Sequence, residues 1–300
     1  MGRMWDKFGQ YVHARIFPIF VVCLFLCGVW YAFAVYLNAP QILDRFEREQ
    51  TSYTTTDLIT STWAMERPVL PSPHQIFYEI YRGTVLVKPT SKRSLILHGW
   101  ITLAPTLLGL LIGTTLGMLL AVGIVYVRTL EGSLLPWIIA SQTVPILAIA
   151  PIIIVVLGSI DLVGVFPKSV IAMYLCFFPV TIGMVKGLRS CEPLHMDLMR
   201  TYAASPWQIL LKLRLPASMP YLVASMKVAA AAAVVGTIVG ELPTGAREGL
   251  GARMLVGSYY GQTIQIWAAL FLAAALAAVL VVAVEVIGRW LPTSPAKTRA

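Results

Sequence analysis

Six separate apolar runs, each about the length of a membrane crossing, leave this chain few folds to choose from. They fall at 17–37, 101–126, 134–158, 169–186, 219–240 and 264–285. A helix needs about 20 mostly apolar residues to cross the hydrocarbon core of a bilayer. Of the 300 residues 58% are hydrophobic and 12% charged, more apolar surface than a soluble domain can bury. The expected fold class is an all-α membrane protein of about six transmembrane helices. The first run follows a basic flank, "GRMWDKFGQYVHAR". It is long for a signal peptide and no small-residue cleavage site follows it, so it reads as an uncleaved anchor.

The formal charge of +9 is spread between the apolar runs. That pattern fits anionic headgroups and topology signals, and no nucleic-acid partner is expected. With the N-terminus inside, the cytoplasmic pieces hold Arg3, Lys7, Arg15, Arg128, Lys186, Arg189, Arg200, Lys212, Arg214, Arg289, Lys297 and Arg299. The two short opposite loops hold only Lys168, Arg247 and Arg253. Both termini are therefore expected in the cytoplasm, in a multi-pass protein of a bacterial inner membrane.

The long outer segment divides in two. Residues 38–66, including "TSYTTTDLITST", are polar and too poor in core residues to fold alone. In "SPHQIFYEIYRG", Ile76, Phe77, Ile80 and Tyr81 share one face at helical spacing. This predicts a short helix, either lying at the outer interface or packed on the bundle.

Between the fourth and fifth runs lies "RTYAASPWQILLKLRLPASMPYL", residues 200–222. Leu194, Leu198 and Tyr202 recur every four residues, which predicts a helix over 193–204. Ser205 breaks the pattern; with Pro206 and Gln208 it forms a capping box that starts a second helix. Trp207, Leu210 and Leu211 lie on the face of that helix, and Pro216 is expected to end it. Two short helices thus meet at the small-residue corner Ala203-Ala204-Ser205. On the residues alone, this corner is equally a docking element and an amphipathic loop on the membrane surface.

Inside the runs, Gly109, Gly113, Gly117 and Ala121 form a ladder that lets helices pack backbone to backbone. Pro145 and Pro151 free carbonyls that protein or a watery cavity must satisfy. Gln142 beside them either lines a pathway or bonds between packed helices. Glu241 closes the fifth run, suited to a structural or gating hydrogen bond, with solute contact the other reading. Lys227 is close enough to the inner end of its run to snorkel, and Glu285 sits where it meets water. Such scarcity of mid-membrane charge counts against an ion-coupled carrier. His13, His74, His98 and His195, and Cys23, Cys27, Cys176 and Cys191, have no metal spacing. "GTTLG" and "GAREGLG" do not fit a phosphate loop, so no catalytic residue, metal site or nucleotide site is expected on this chain.

The loop resembles the cytoplasmic signature of binding-protein-dependent ABC importer permeases, E-A-A-x3-G-x9-I-x-L-P. Here it reads Asp197-Leu198-Met199, three residues, Ala203, nine residues, Leu213-Arg214-Leu215-Pro216. Leu215 and Pro216 match; Asp197, Ala203 and Leu213 are mild changes, and Leu198 and Met199 larger ones. "RPVLPSPHQIF", "VPILAIAPIIIVVLG", "FFPVTIGMVKGLRS" and "VVGTIVGEL" followed by "GLG" resemble the nitrate, sulfonate, taurine and pyrimidine-precursor branch. The likeness covers 67–288 and leaves out 38–66.

The resemblance implies a type I importer permease fold. Its domains would be an anchor and polar segment at 1–66, a transmembrane domain at 67–288 with coupling loop 187–218, and a cytoplasmic tail at 289–300. Such a subunit is not an enzyme: ATP and magnesium belong to partner ATPase subunits. Two permeases would pair, most simply as a homodimer, and an extracytoplasmic binding protein would deliver the solute. Asp197, Arg200, Ala203, Ala204, Ser205, Pro206, Trp207, Gln208, Leu215 and Pro216 would meet the ATPase. Gln142, Pro145 and Glu241 are the pathway or gate candidates. A pyrimidine-like ring is the expected solute, and an ion-coupled secondary carrier or channel the alternative. A membrane enzyme is a third reading, opposed by the missing acid, base or metal cluster.

Overall fold

The computed structural model describes residues 17–243 and 248–290, and among these all regular structure is helical. The described residues fall into two compact units, one from 17–87 with 256–268, the other from 88–243 and 248–255 with 269–290.

In the first unit, α1 (Phe17–Glu49) has 33 residues, about 50 Å at 1.5 Å each, against a hydrocarbon core of about 30 Å. Its early turns are exposed all round, as a lipid-facing helix requires. Later, Asn38 is fully buried: its Nδ2 donates to the Leu70 carbonyl at 2.9 Å, and its Oδ1 accepts from Val69 N at 2.7 Å. Trp30 Nε1 adds a bond to the Pro71 carbonyl at 3.0 Å. The stretch before α3 (Pro73–Tyr81) is therefore strapped along α1. Residues 38–66 are more ordered than their composition predicts. The anchor helix continues through Pro40 to Glu49, and α2 (Thr55–Trp63) follows. A Thr54–Asp57 capping box starts α2, and Trp63 packs edge-on to Tyr31. These residues lack a core of their own and use the side of α1. In α3, the expected face splits: Ile76 is buried, whereas Phe77 and Tyr81 are exposed. A single π turn, Arg82–Leu86, follows.

The second unit holds α4 (Leu95–Tyr126), α5 (Arg128–Ser141), α6 (Ile146–Gly158), α7 (Val165–Leu188), α8 (Pro193–Thr201) and α9 (Pro206–Ile209). After a π turn (Leu210–Arg214) come α10 (Leu215–Glu241), α11 (Leu250–Tyr259) and α12 (Thr263–Trp290); the later parts of α11 and the first turns of α12 belong to the other unit. The glycine ladder sets how α4 meets α7. A Cβ on Gly109 would lie 2.5 Å from Ala172 Cβ, and one on Gly113 2.6 Å from Cys176 Cβ, so only glycine permits this approach. Numbers rise together along both helices, so α4 and α7 run parallel. α10 opposes them, with Gly187 against Ser218 at one end and Gly236 against Ala172 towards the other.

This geometry decides how the third apolar run behaves. It is no single helix: α5 and α6 are bent by 102° across residues 142–145. Because α4 and α7 are parallel, the chain leaving Tyr126 must return to the opposite end to begin α7. Only α5 and α6 are available, so the bent pair makes the return crossing and brings the five long apolar helices to six spans. Pro145 is the N-cap of α6 and marks the break, whereas Pro151 sits inside α6 without interrupting it. Lys227 and Glu285, expected to reach water separately, pair at 3.2 Å across α10 and α12.

Candidate functional site

The loop after α7 folds as two helices and a corner. Proline at the first position starts α8, and an exposed Asp197–Arg200 pair at 3.1 Å lies one turn on. Leu194, Leu198 and Tyr202 are 75%, 51% and 77% exposed, so the whole apolar stripe faces outward. The helix closes in a Schellman arrangement: Ala203 N donates to the Arg200 carbonyl at 2.8 Å and Ala204 N to that of Met199 at 3.0 Å. Ala203 adopts φ +49°, the left-handed conformation that the family motif reserves for glycine. Ser205 then caps the next helix: its N–H donates to Gln208 Oε1 at 2.8 Å and its Oγ accepts from Gln208 N at 3.4 Å.

Two expectations about this second helix need correction. Trp207 and Leu211 are exposed but Leu210 is buried, so the three do not share a face. Nor does Pro216 end the helix. The turn Leu210–Arg214 is π-helical, with Leu215 N bonded to the Leu210 carbonyl. The extra residue in that turn gives the proline ring room and absorbs the donor it lacks. Pro206–Glu241 is consequently one helical rod of 36 residues, from the corner to the far end of the span.

The corner is also tied to the end of α4. Tyr126 Oη donates to the Pro206 carbonyl at 3.3 Å, and the Arg214 guanidinium lies 5.2 Å from the Tyr126 ring centroid. Arg189, at the start of the loop, pairs with Glu131 of α5 at 2.8 Å. Corner, α4 and the bent span therefore meet at one end of the bundle.

At mid-depth, Gln142 and Pro145 sit in the bend. The Tyr174 hydroxyl donates to the Ser141 carbonyl, which otherwise accepts only a long turn bond from Val144 N at 3.4 Å because Pro145 has no N–H to offer it. Tyr174 follows Met173, whose backbone Gly113 abuts, so the break is level with the middle of α4. Non-helical backbone at such depth is tolerated where it is buried in protein or lines a watery cavity. Gln142 itself is exposed.

The far end of the rod holds residues that sequence reasoning left scattered. Glu241 is fully buried. Its Oε1 accepts from Thr102 Oγ1 at 2.9 Å and its Oε2 from Gly251 N at 2.7 Å, with Lys168 Nζ 4.0 Å away. Thr102 Oγ1 accepts in turn from Leu250 N at 2.9 Å, and His98 Nδ1 from Gly249 N at 2.9 Å. His98 Nε2 donates to the Lys92 carbonyl at 3.0 Å, which fixes the tautomer. Lys168, read above as a loop charge, is instead part of α7 and nearly buried. The signal for this cluster was the spacing His98, Thr102, Thr106, one face of α4 that continues into the glycine ladder. Among the described residues, no group of three or more His, Cys, Asp or Glu converges on a metal position.

The described residues thus form a helical bundle of membrane-crossing length with a small, exposed corner continuous with one span. The chain belongs to the family described as binding-protein-dependent transport system inner membrane component, whose model matches residues 113–294. It is 32% identical over 204 residues to a probable ABC transporter permease protein of Haemophilus influenzae, covering 68% of this chain and 78% of that one. The formylaminopyrimidine transport permease protein ThiX of Halalkalibacterium halodurans is 33% identical over 183 residues, 61% of this chain and 68% of its own. The riboflavin transport system permease protein RibX of Chloroflexus aurantiacus is 31% identical over 166 residues, 55% and 60% of the two chains. This protein is thus an ABC importer permease subunit of the inner membrane.

Proposed function

We propose that this subunit forms, with a second copy, the path by which a neutral nitrogen heterocycle enters the cytoplasm. ATP bound with magnesium on partner ATPase subunits drives the import, and an extracytoplasmic binding protein supplies the solute. The observation that carries the reading is the Ser205–Gln208 corner, exposed and continuous with the rod that ends at Glu241. Asp197, Arg200, Ala203, Ala204, Ser205, Pro206, Trp207, Gln208, Leu215 and Pro216 form or support the seat in the ATPase. In this reading the corner faces the cytoplasm, as the lysine and arginine asymmetry favours. The solute passes the α5–α6 bend near Gln142 and Pro145, where opened backbone meets water.

Two relatives at over 30% identity carry names that specify a pyrimidine and a flavin, both nitrogen heterocycles. The six apolar runs, 17–37, 101–126, 134–158, 169–186, 219–240 and 264–285, contain no arginine to pair with nitrate or a sulfonate, which also favours a neutral ring.

The test is reconstitution with the cognate ATPase and binding protein in vesicles treated with ionophores. Uptake of a heterocycle selected by screening the binding protein should require ATP. Uptake that persists without ATP and collapses with the ion gradient would establish a secondary carrier instead. A binding protein that selects sulfonates would overturn the solute class alone. At the corner, Ala204→Arg should abolish copurification of the ATPase.

A further inference from the structure

The first turn of α11 is held in an unusual way. A helix begins with backbone N–H groups that have no partner inside it, and a nearby N-cap side chain or water normally satisfies them. Here Gly249, Leu250 and Gly251 offer three consecutive N–H groups, and each meets a side chain from a distant helix. His98 and Thr102 of α4 take the first two, and Glu241 of α10 takes the third. Thr102 binds both Leu250 and Glu241, so the rack is continuous. The backbone is shaped to it. Gly249 has φ +123°, and a Cβ there would lie 2.4 Å from Glu241 Cδ. A Cβ on Gly251 would lie 2.6 Å from the Ile238 carbonyl. Charge-assisted bonds to a buried carboxylate are the stronger kind, and losing an acceptor here strands buried donors.

The position of the rack matters as much as its bonds. Glu241 is the last residue of the rod that starts at Pro206, so one rigid element carries the exposed corner at one end and the rack at the other. We infer that Glu241, braced by Thr102, is a positioning residue that ties the first turn of the Leu250–Tyr259 helix to the rod, so that movement of the corner is relayed to that helix at the far end of the bundle. The inference rests on the importer reading above, and deepens it by giving the corner something to move. Lys168 Nζ of α7 lies 4.0 Å from the Glu241 carboxyl group.

The experiment uses the wild-type complex as its reference: if that complex shows no ATP-dependent uptake, the importer reading fails, whatever the variants do. Against it, Glu241→Gln combined with Lys168→Met keeps the site neutral while placing an amide donor where the carboxylate accepted. Thr102→Val removes the brace without altering charge or shape. Both variants should copurify with the ATPase and hydrolyse ATP, because the corner is untouched. Stimulation of hydrolysis by the loaded binding protein should be lost, and uptake should fall about tenfold or more. A role in local stability alone would lower yield or melting temperature and leave the stimulation ratio unchanged. Wild-type stimulation and uptake in either variant would overturn the inference. So would joint loss of uptake and ATPase copurification in Thr102→Val, since the rack would then hold the whole fold.

Discussion

Leu215 donates its backbone N–H to the carbonyl of Leu210, one residue further back than α-helical bonding would place it. That widened turn carries a helix through Pro216, and it sets the rotation of Trp207 and the corner relative to the span below. One residue corresponds to about 100° of helical rotation, so closing the turn would re-aim every exposed side chain of α9.

Pro216→Ala removes the reason for the wide turn. The variant should fold as well as wild type or slightly better, because a helix-interior proline is costly. With regular bonding restored, the corner would rotate and the Tyr126–Pro206 contact would break. Uptake should then fall about tenfold while the thermal midpoint holds or rises. Wild-type uptake at an unchanged midpoint would show that the π turn does not set the corner's aim.

Ala203 offers a milder test of the same corner. At φ +49° an alanine bears a cost that glycine avoids, of order 1 kcal/mol. Ala203→Gly should therefore order the corner and slow tryptic cleavage after Arg200. Ala203→Val should quicken it, since a β-branched residue tolerates this conformation least. Equal cleavage of all three would contradict the strain assigned to this residue.

How much of this was legible depends on range. The capping box at Ser205 and Gln208, the helix expected over 193–204 and found over 193–201, and five of the six apolar runs are local, written in neighbouring residues; the third run is instead broken across residues 142–145. The passage through Pro216 was hidden because proline rules assume regular α-helical bonding, which the π turn relaxes. The order in 38–66 was hidden for another reason: Asn38 is hydrogen-bonded by, and Trp63 packs against, partners outside that stretch. The rack was least visible. Glu241 and Thr102 lie 139 residues apart, and single-sequence periodicity says nothing about which helices meet.

The glycine seam between α4 and α7 predicts a sharp steric limit. Gly113→Leu forces a side chain in where the first added carbon already lies 2.6 Å from Cys176 Cβ and 3.1 Å from the Met173 carbonyl oxygen. The helices must separate, and overpacking of this kind costs about 1–3 kcal/mol. A fall of several degrees in the melting temperature of the purified subunit is expected, with a smaller fall for Gly113→Ala. An unchanged midpoint in Gly113→Leu would mean that α4 and α7 do not pack as described.

Cys191, between α7 and α8, reports both orientation and environment. Burial pushes its thiol above the ordinary range, with the Arg214 charge pulling part of the way back. The thiolate is the reactive form, so a raised value means less of it at neutral pH. With Cys23, Cys27 and Cys176 replaced, an impermeant maleimide should label Cys191 in inside-out vesicles and not in intact cells. A cysteine at Thr55 should behave in the opposite way. The Cys191 rate should climb about tenfold per pH unit through the neutral range and keep climbing beyond the value at which a free thiol levels off, about 8.5. Arg214→Gln removes the charge that favours thiolate, so it should shift the curve to still higher pH. Labelling of Cys191 from outside intact cells would reverse the assigned orientation, and a plateau below about 8.5 would show that burial does not govern this thiol.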